Sequence, residues 1–332
     1  METMAEYLAE LVKAGLEDRK AASLPEGVSV REIVKISEEN HMDYLLLGAL
    51  LKTDGLSEEE KELLREKVLG SMLFTGMQLQ ELKKLEERME QAKIPCQPMK
   101  GARMKFYYPS PFLREMSDID ILIHGDFMEQ AAVELEAMGY VLQQKIKHHD
   151  IYRKAPGIVV EAHRAMYDRT VDERQYAYFS DLRGCGIRNL VDIYVFLEKF
   201  GGEMNADYLQ KQFAGLGLTA FTEHMEKLAR IWLQGEPGEA FYQQLFDYMQ
   251  GCGIYGKDEN GIWNRFCDAQ PEKGEKGRDV LKRWYWFPPY EYMVLYYPWL
   301  SRNPVAGKFL LPAAWGIRAV RGVVCGRGKY KR

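Results

Sequence analysis

Ser117-Asp118-Ile119-Asp120-Ile121-Leu122-Ile123 is the stretch on which the fold turns. Its polar and apolar residues alternate with the period of a half-buried strand, so Asp118 and Asp120 share one face while Ile119, Ile121 and Ile123 share the other. Two carboxylates on one face repel, and keeping both ionised asks for a compensating cation. Mg²⁺, with its preference for oxygen, meets that need. Further along, Val159-Val160-Glu161-Ala162-His163 alternates in the same way and places Glu161 and His163 on one face. Three carboxylates on adjacent strands can hold two Mg²⁺ ions, one gripping a triphosphate and the other lowering the pKa of an attacking hydroxyl.

The surrounding punctuation sets the rest of the fold. Pro95 and Pro98 exclude a helix, so Ile94 to Met99 is predicted extended, with Lys100-Gly101 opening a short helix. A Gly at a helix start lets backbone N–H groups approach phosphate. A Pro-rich turn follows at Tyr108 to Pro111. Asp126 to Met138 has helical periodicity closed by Gly139. Tyr140 to Lys145, Asp150 to Lys154 and Ile158 to Ala162 read as three strands, the last two joined at Pro156-Gly157. Upstream, Thr3 to Met89 has apolar residues at three and four spacing. Ser57 followed by Glu58, Glu59 and Glu60 is a capping box that starts a long helix towards Glu90. Downstream, Leu190 to Phe200, Ala206 to Phe213, Thr219 to Leu233 and Gly238 to Met249 read as helices. Gly251 to Gly277 is loop-rich, and the aromatic cluster from Trp284 to Trp299 reads as packing for C-terminal helices. The expectation is an α+β fold: a small mixed β-sheet core at 93–168, flanked by helical regions at 1–92 and 169–332.

Composition narrows the classes. The 332 residues are 46% hydrophobic and 28% charged, which argues against disorder and against a disulfide mini-scaffold. With 45 Lys plus Arg against 49 Asp plus Glu, the net charge of −4 gives no whole-chain footprint for nucleic acid. The charge is uneven, however: 301–332 carries Arg302, Lys308, Arg318, Arg321, Arg327, Lys329, Lys331 and Arg332 and no acid. Such a tail is either solvated or in weak contact with an anionic membrane surface. Five cysteines (Cys96, Cys185, Cys252, Cys267, Cys325) form no CxxC pair, so a reducing cytoplasmic compartment is expected. No signal-peptide pattern and no apolar run of the roughly 20 residues needed to span a bilayer is present.

Met99-Lys100-Gly101-Ala102, Tyr108-Pro109-Ser110-Pro111, Arg114-Glu115-Met116 leading into 117–123, Gly139-Tyr140 and Val160-Glu161-Ala162-His163 together resemble the nucleotidyltransferase family of the polymerase β superfamily. The nearest resemblance is to a bacterial branch with Lys-Gly in place of Gly-Ser. Gly186 to Tyr194, Phe287-Pro288-Pro289, Tyr297-Pro298 and Leu311-Pro312 extend it. The resemblance implies Mg²⁺-dependent transfer of a nucleoside monophosphate from a nucleoside triphosphate, ATP or another, to an acceptor hydroxyl, with release of pyrophosphate. It implies that Asp118, Asp120 and Glu161 are the catalytic, metal-binding carboxylates. Lys100, Gly101, Arg114, Ser117 and His163 would lie around the nucleotide phosphates. Arg114 either binds phosphate or pairs with Asp118 or a neighbouring acid. His163 either touches metal, phosphate or acceptor, or is a hydrogen-bonded structural residue. Ala102 supplies no hydroxyl where the wider superfamily has Gly-Ser, and Lys100 offers a point charge instead. That departure supports an alternative: a module that keeps the fold without the chemistry and binds a nucleotide or a protein partner.

Other motifs carry less. His148-His149-Asp150 has the letters of a phosphohydrolase doublet but opens a predicted strand without the helical ligands that chemistry needs. Gly251-x-Gly253-x-x-Gly256 follows a predicted helix instead of a strand, so a dinucleotide turn is not expected, and Gly215-x-Gly217 reads as a turn between helices.

Overall fold

The strand quoted first lies inside the sheet. The computed structural model describes residues 2–145, 149–164, 185–216, 218–254, 287, 290, 293, 297, 299–300 and 304–317. They belong to two compact units, Met1–Ala177 with Cys185–Gly256, and Tyr178–Gly184 with Lys257–Arg332.

In the first unit the described elements run α1 (Glu2–Leu16), α2 (Val30–Asn40), a π-helical turn Asp43–Leu47, α3 (Glu58–Gln91), β1 (Cys96–Pro98), α4 (Lys100–Met104), β2 (Ile119–Ile123), α5 (Met128–Ala137), β3 (Val141–Lys145), β4 (His149–Lys154), β5 (Ile158–His163), α6 (Arg188–Phe200), α7 (Ala206–Leu216), α8 (Thr219–Gln234) and α9 (Ala240–Cys252). The sheet order is β1-β2-β5-β4-β3. β2 and β5 are parallel, and every other pairing is antiparallel. This is the mixed α+β architecture expected, with helices on both sequence flanks.

Alternation in β2 and β5 creates one apolar face. Ile119, Ile121 and Ile123 meet Val160, Ala162 and Ile158 in a single core with Leu82, Leu85 and Met89 of α3 and Ala131 and Leu135 of α5. The helix that covers this face is specified locally. Ser57 Oγ accepts from the Glu60 N–H at 3.2 Å and the Ser57 N–H donates to Glu60 Oε2 at 2.8 Å, so the capping box starts α3 as expected. α3 is also tied to the sheet edge: Glu81 accepts from Tyr140 Oη at 3.1 Å and from Lys154 Nζ at 2.7 Å. A second core gathers α1, α2, the π turn, α6, α8 and α9. Leu64 of α3 belongs to it, so one helix serves both cores. Asn40 Oδ1 accepts the Ile187 N–H at 3.0 Å, and Trp232 Nε1 donates to Ala5 O at 2.9 Å.

Local boundaries differ from expectation in small ways. β2 starts at Ile119, which leaves Asp118 just ahead of the strand. The helix expected from Asp126 begins with a 3₁₀ turn, Gly125–Phe127. Gly215 lies in the last turn of α7 instead of between helices. Gly253 follows α9 at φ +64°, after a helix as expected, and Gly256 lies outside the described residues. Gly217, His148, Trp284 to Trp286 and the tail 318–332 also lie outside them. In the second unit α10 (Pro304–Phe309) is described, and Met293, Tyr297, Leu300 and Ala314 form a small buried cluster. Among the described residues no helix is long and apolar enough to cross a membrane.

Leu85 is fully buried and Leu69, on the same helix, is 51% exposed. Leu85→Ala is therefore expected to cost about 2–5 kcal/mol, whereas Leu69→Ala stays within about 0.5 kcal/mol. Paired denaturant melts read the difference.

Candidate active site

The polar face of the sheet is assembled by register. Asp120 of β2 is opposite Glu161 of parallel β5, and His163 of β5 is opposite His149 of antiparallel β4. Directly opposed residues share a face, so the four side chains emerge together, with Asp118 two residues before Asp120 on the same side. The Met99 N–H donates to Asp120 O at 3.0 Å and holds the start of α4 against β2. The next residue, Lys100, has a left-handed backbone at φ +45°. Its Nζ donates to Asp120 Oδ1 at 2.7 Å from a side chain that remains 59% exposed. His163 Nε2 lies 2.9 Å from the same oxygen and 3.4 Å from Glu161 Oε2. His149 Nε2 lies 3.6 Å from Glu161 Oε2. Asp120, His149 and His163 are buried, and Asp118 and Glu161 are half-buried.

The electrostatics divide the carboxylates. Burial, with Asp120 and Glu161 as negative neighbours, pushes Asp118 up to about 6. Burial acts the same way on Asp120, but the bonds from His163 and Lys100 outweigh it and hold that carboxyl below its ordinary value. The His163 contact also lowers Glu161. Burial works to lower His163, yet its two acidic partners prevail and raise it. The oxygen donors of this face suit a hard dication. Asp118, Asp120, Glu161 and Lys100 are close together here.

Residues 26–183 match the family model described as an uncharacterised nucleotidyltransferase. No curated protein and no solved structure matches the chain. The nucleotidyltransferase match spans the whole sheet and every residue of the polar face, and it supports a nucleotidyl-transfer role in general terms.

Within the matched stretch the candidate residues fall into two groups. Lys100, Asp118, Asp120, Glu161 and His163 converge. Arg114 and Ser117 are directed elsewhere. The Arg114 guanidinium closes a fork on Asp192 of α6, with Nε and Nη2 each 2.8 Å from a carboxylate oxygen, and Tyr108 Oη donates to the same carboxylate at 2.8 Å. The expected choice for Arg114 between phosphate and a neighbouring acid thus falls on an acid far along the chain. Ser117 Oγ hydrogen-bonds His41 Nδ1 at 3.2 Å. Burial, then Arg188 and Arg114, push His41 down to about 4, so it is neutral at neutral pH. Gly101 packs tightly against this group: a Cβ there would meet Met116 Cβ at 3.0 Å and Arg114 Nη1 at 3.2 Å.

Sequence reasoning passed over three residues. Asp192 has no local motif. Lys105, one turn beyond Gly101, is fully buried, and among the described residues Nζ has no hydrogen-bond partner. Burial and Arg114 push it down to about 8. His149 was read only within its doublet, although its strand register with His163 was the available signal.

The raised Asp118 pKa makes a stability prediction. A carboxyl at about 6 in the folded chain against an ordinary 3.8 binds protons more tightly when folded, so it costs stability above pH 6, a cost that disappears as pH falls towards 3.8. After solvent screening of a half-buried group the effect is of the order of 1 kcal/mol. Asp118→Asn is expected to raise Tm at pH 7.5 in chelator-treated buffer, to be indistinguishable from wild type near pH 4, and to lose part of its advantage when Mg²⁺ is added.

Proposed function

We propose that residues 93–168 form a Mg²⁺-dependent nucleotidyltransferase core, flanked in sequence by helical regions at 1–92 and 169–332. It would move a nucleoside monophosphate from a nucleoside triphosphate to an acceptor hydroxyl. The observation that carries the reading is the convergence of Asp120, Glu161 and Lys100 on one sheet face beside Asp118. Asp118, Asp120 and Glu161 would hold the ions. Bound there, Mg²⁺ supplies charge neutralisation on the phosphates and a lower pKa for the acceptor hydroxyl.

The chain's own groups supply the rest. Lys100 reaches in from solvent and ends at Asp120, so a phosphate arriving at the carboxylates meets its ammonium first. His163 keeps Glu161 ionised, which readies that carboxylate to accept the proton of the acceptor. The acceptor oxygen attacks the α-phosphorus, the bond from that phosphorus to the bridging oxygen of the β-phosphate breaks, and pyrophosphate leaves. Ala102 bears on this reading too. Its side chain is fully buried in the core with Leu82, Leu85 and Met116, so the small residue answers a packing need and its methyl does not face the carboxylates.

The test is pyrophosphate release by the purified chain with each nucleoside triphosphate, Mg²⁺ or Mn²⁺, and panels of small-molecule and protein acceptors. Loss of groups that merely support metal ligands costs about 10–100-fold, so replacing the ligands themselves, in Asp118→Asn with Asp120→Asn, is expected to lower the rate by more than about 100-fold. Equal release by wild type and the double variant sinks the proposal.

A further inference from the structure

The polar face holds more nitrogen than a pair of Mg²⁺ ions can use. β4 and β5 set His149 directly opposite His163, and Glu161 precedes His163 by two residues on the same face. One ligand atom from each of His149, Glu161 and His163 lies within 4.8 Å of the others. The two contacts to Glu161 Oε2 are 3.4 Å from His163 Nε2 and 3.6 Å from His149 Nε2. Both exceed the roughly 2.9 Å of a good N–H···O bond. They are close to the separation of about 3.3–3.4 Å between ligand atoms on a tetrahedral ion with bonds of about 2.0–2.1 Å.

We propose that His149, Glu161 and His163 form a site for a borderline transition-metal dication, with Zn²⁺ as its type. Two imidazoles and one carboxylate are a nitrogen-rich set that Mg²⁺ does not favour and that suits zinc with a fourth position open. Both imidazoles are buried, at 8% and 3% exposure, and their ring centroids are 4.8 Å apart. Charging both rings would stack two cations against each other, whereas one dication between neutral rings and a carboxylate satisfies all three. The strand ends that carry the ligands are fastened: Arg164 Nη2 donates to Asp150 Oδ1 at 2.6 Å, beside His149 in β4 and His163 in β5. His163 Nε2 also lies 2.9 Å from Asp120 Oδ1. An ion on Nε2 would displace any proton there, so binding weakens in acid.

Glu161 is the one proposed metal ligand common to this site and the nucleotidyl-transfer site, and Asp118 separates the two. The experiment uses the untagged full-length chain, stripped with a chelator and titrated with Zn²⁺ by calorimetry in excess Mg²⁺, with Co²⁺ as the spectroscopic probe. One equivalent of Zn²⁺ is expected to bind despite Mg²⁺, with proton release, and to bind at least 10-fold more weakly in His149→Ala and in Glu161→Gln. Asp118→Asn is expected to bind like wild type. Far-UV circular dichroism and thermal melts in chelator confirm that the variants are folded. If one variant is not folded, the other reads the ligand loss. Any of three results overturns the site: no Zn²⁺ binding in excess Mg²⁺, undiminished binding in folded His149→Ala or Glu161→Gln, or a thiolate charge-transfer band with Co²⁺, which would place the ion on cysteine. Zinc binding without pyrophosphate release would sink only the transferase proposal, and release without zinc binding would sink only this one.

Discussion

Like charge held out of water is the constraint that the rest of the first unit is organised around. Asp120 and Glu161, with Asp118 just ahead of β2, lie on the face of the sheet opposite the core of Ile119, Ile121, Ile123, Val160 and Ala162, so the carboxylates cannot turn inward without meeting apolar side chains. Two nitrogen groups support the arrangement: Lys100 and His163 both address Asp120 Oδ1. Burial and its two acidic neighbours leave Asp118 resisting ionisation. The apolar face in turn requires α3. A helix that begins with its own capping box and runs 34 residues forms readily, and it reaches both cores.

Behind this face lies a second, sealed charge cluster. The fork from Arg114 to Asp192 is buried, with side chains 7% and 14% exposed, and joins the segment before β2 to α6. A buried pair of this kind contributes little net stability compared with apolar packing, but its geometry is specific. Its effect is positional, because residues 114–117 lead directly into Asp118 and Arg114 packs against Gly101, one residue after Lys100. The two clusters therefore meet at the Lys100-Gly101 turn. Glycine at 101 answers the close approach of Met116 and Arg114, so phosphate contact is not needed to explain it.

How much of this could be read from the residues depended on the range of the interaction. Strand period, the capping box and the Pro95/Pro98 exclusion are local, and they placed β2, β5, α3, β1 and α4 to within one or two residues. The convergence of Asp118, Asp120, Glu161 and His163 followed from alternation once the two strands were taken as neighbours. Asp192 was beyond reach because its partner is 78 residues away and nothing in the α6 sequence marks it as the end of a fork. His149 could have been found, yet the antiparallel register that sets it against His163 is a property of the hairpin and not of either strand alone. The basic tail was the clearest charge feature of the sequence, and its residues from 318 onward lie outside the described region.

The polar face is better described as two halves joined at a ring than as a uniform acidic patch. On one side Lys100 and Asp120 form an oxygen-donor half with an ammonium at its rim. On the other, His149 and Glu161 form a nitrogen-rich half. His163 touches both, at 2.9 Å to Asp120 and 3.4 Å to Glu161, through the same Nε2. A single nitrogen cannot give one proton fully to two acceptors, so whatever fixes it on one side frees the other. The contact to Asp120 is the shorter of the two. Were a cation to take Asp120, that oxygen would no longer need the imidazole proton, and His163 would be released towards Glu161 and His149.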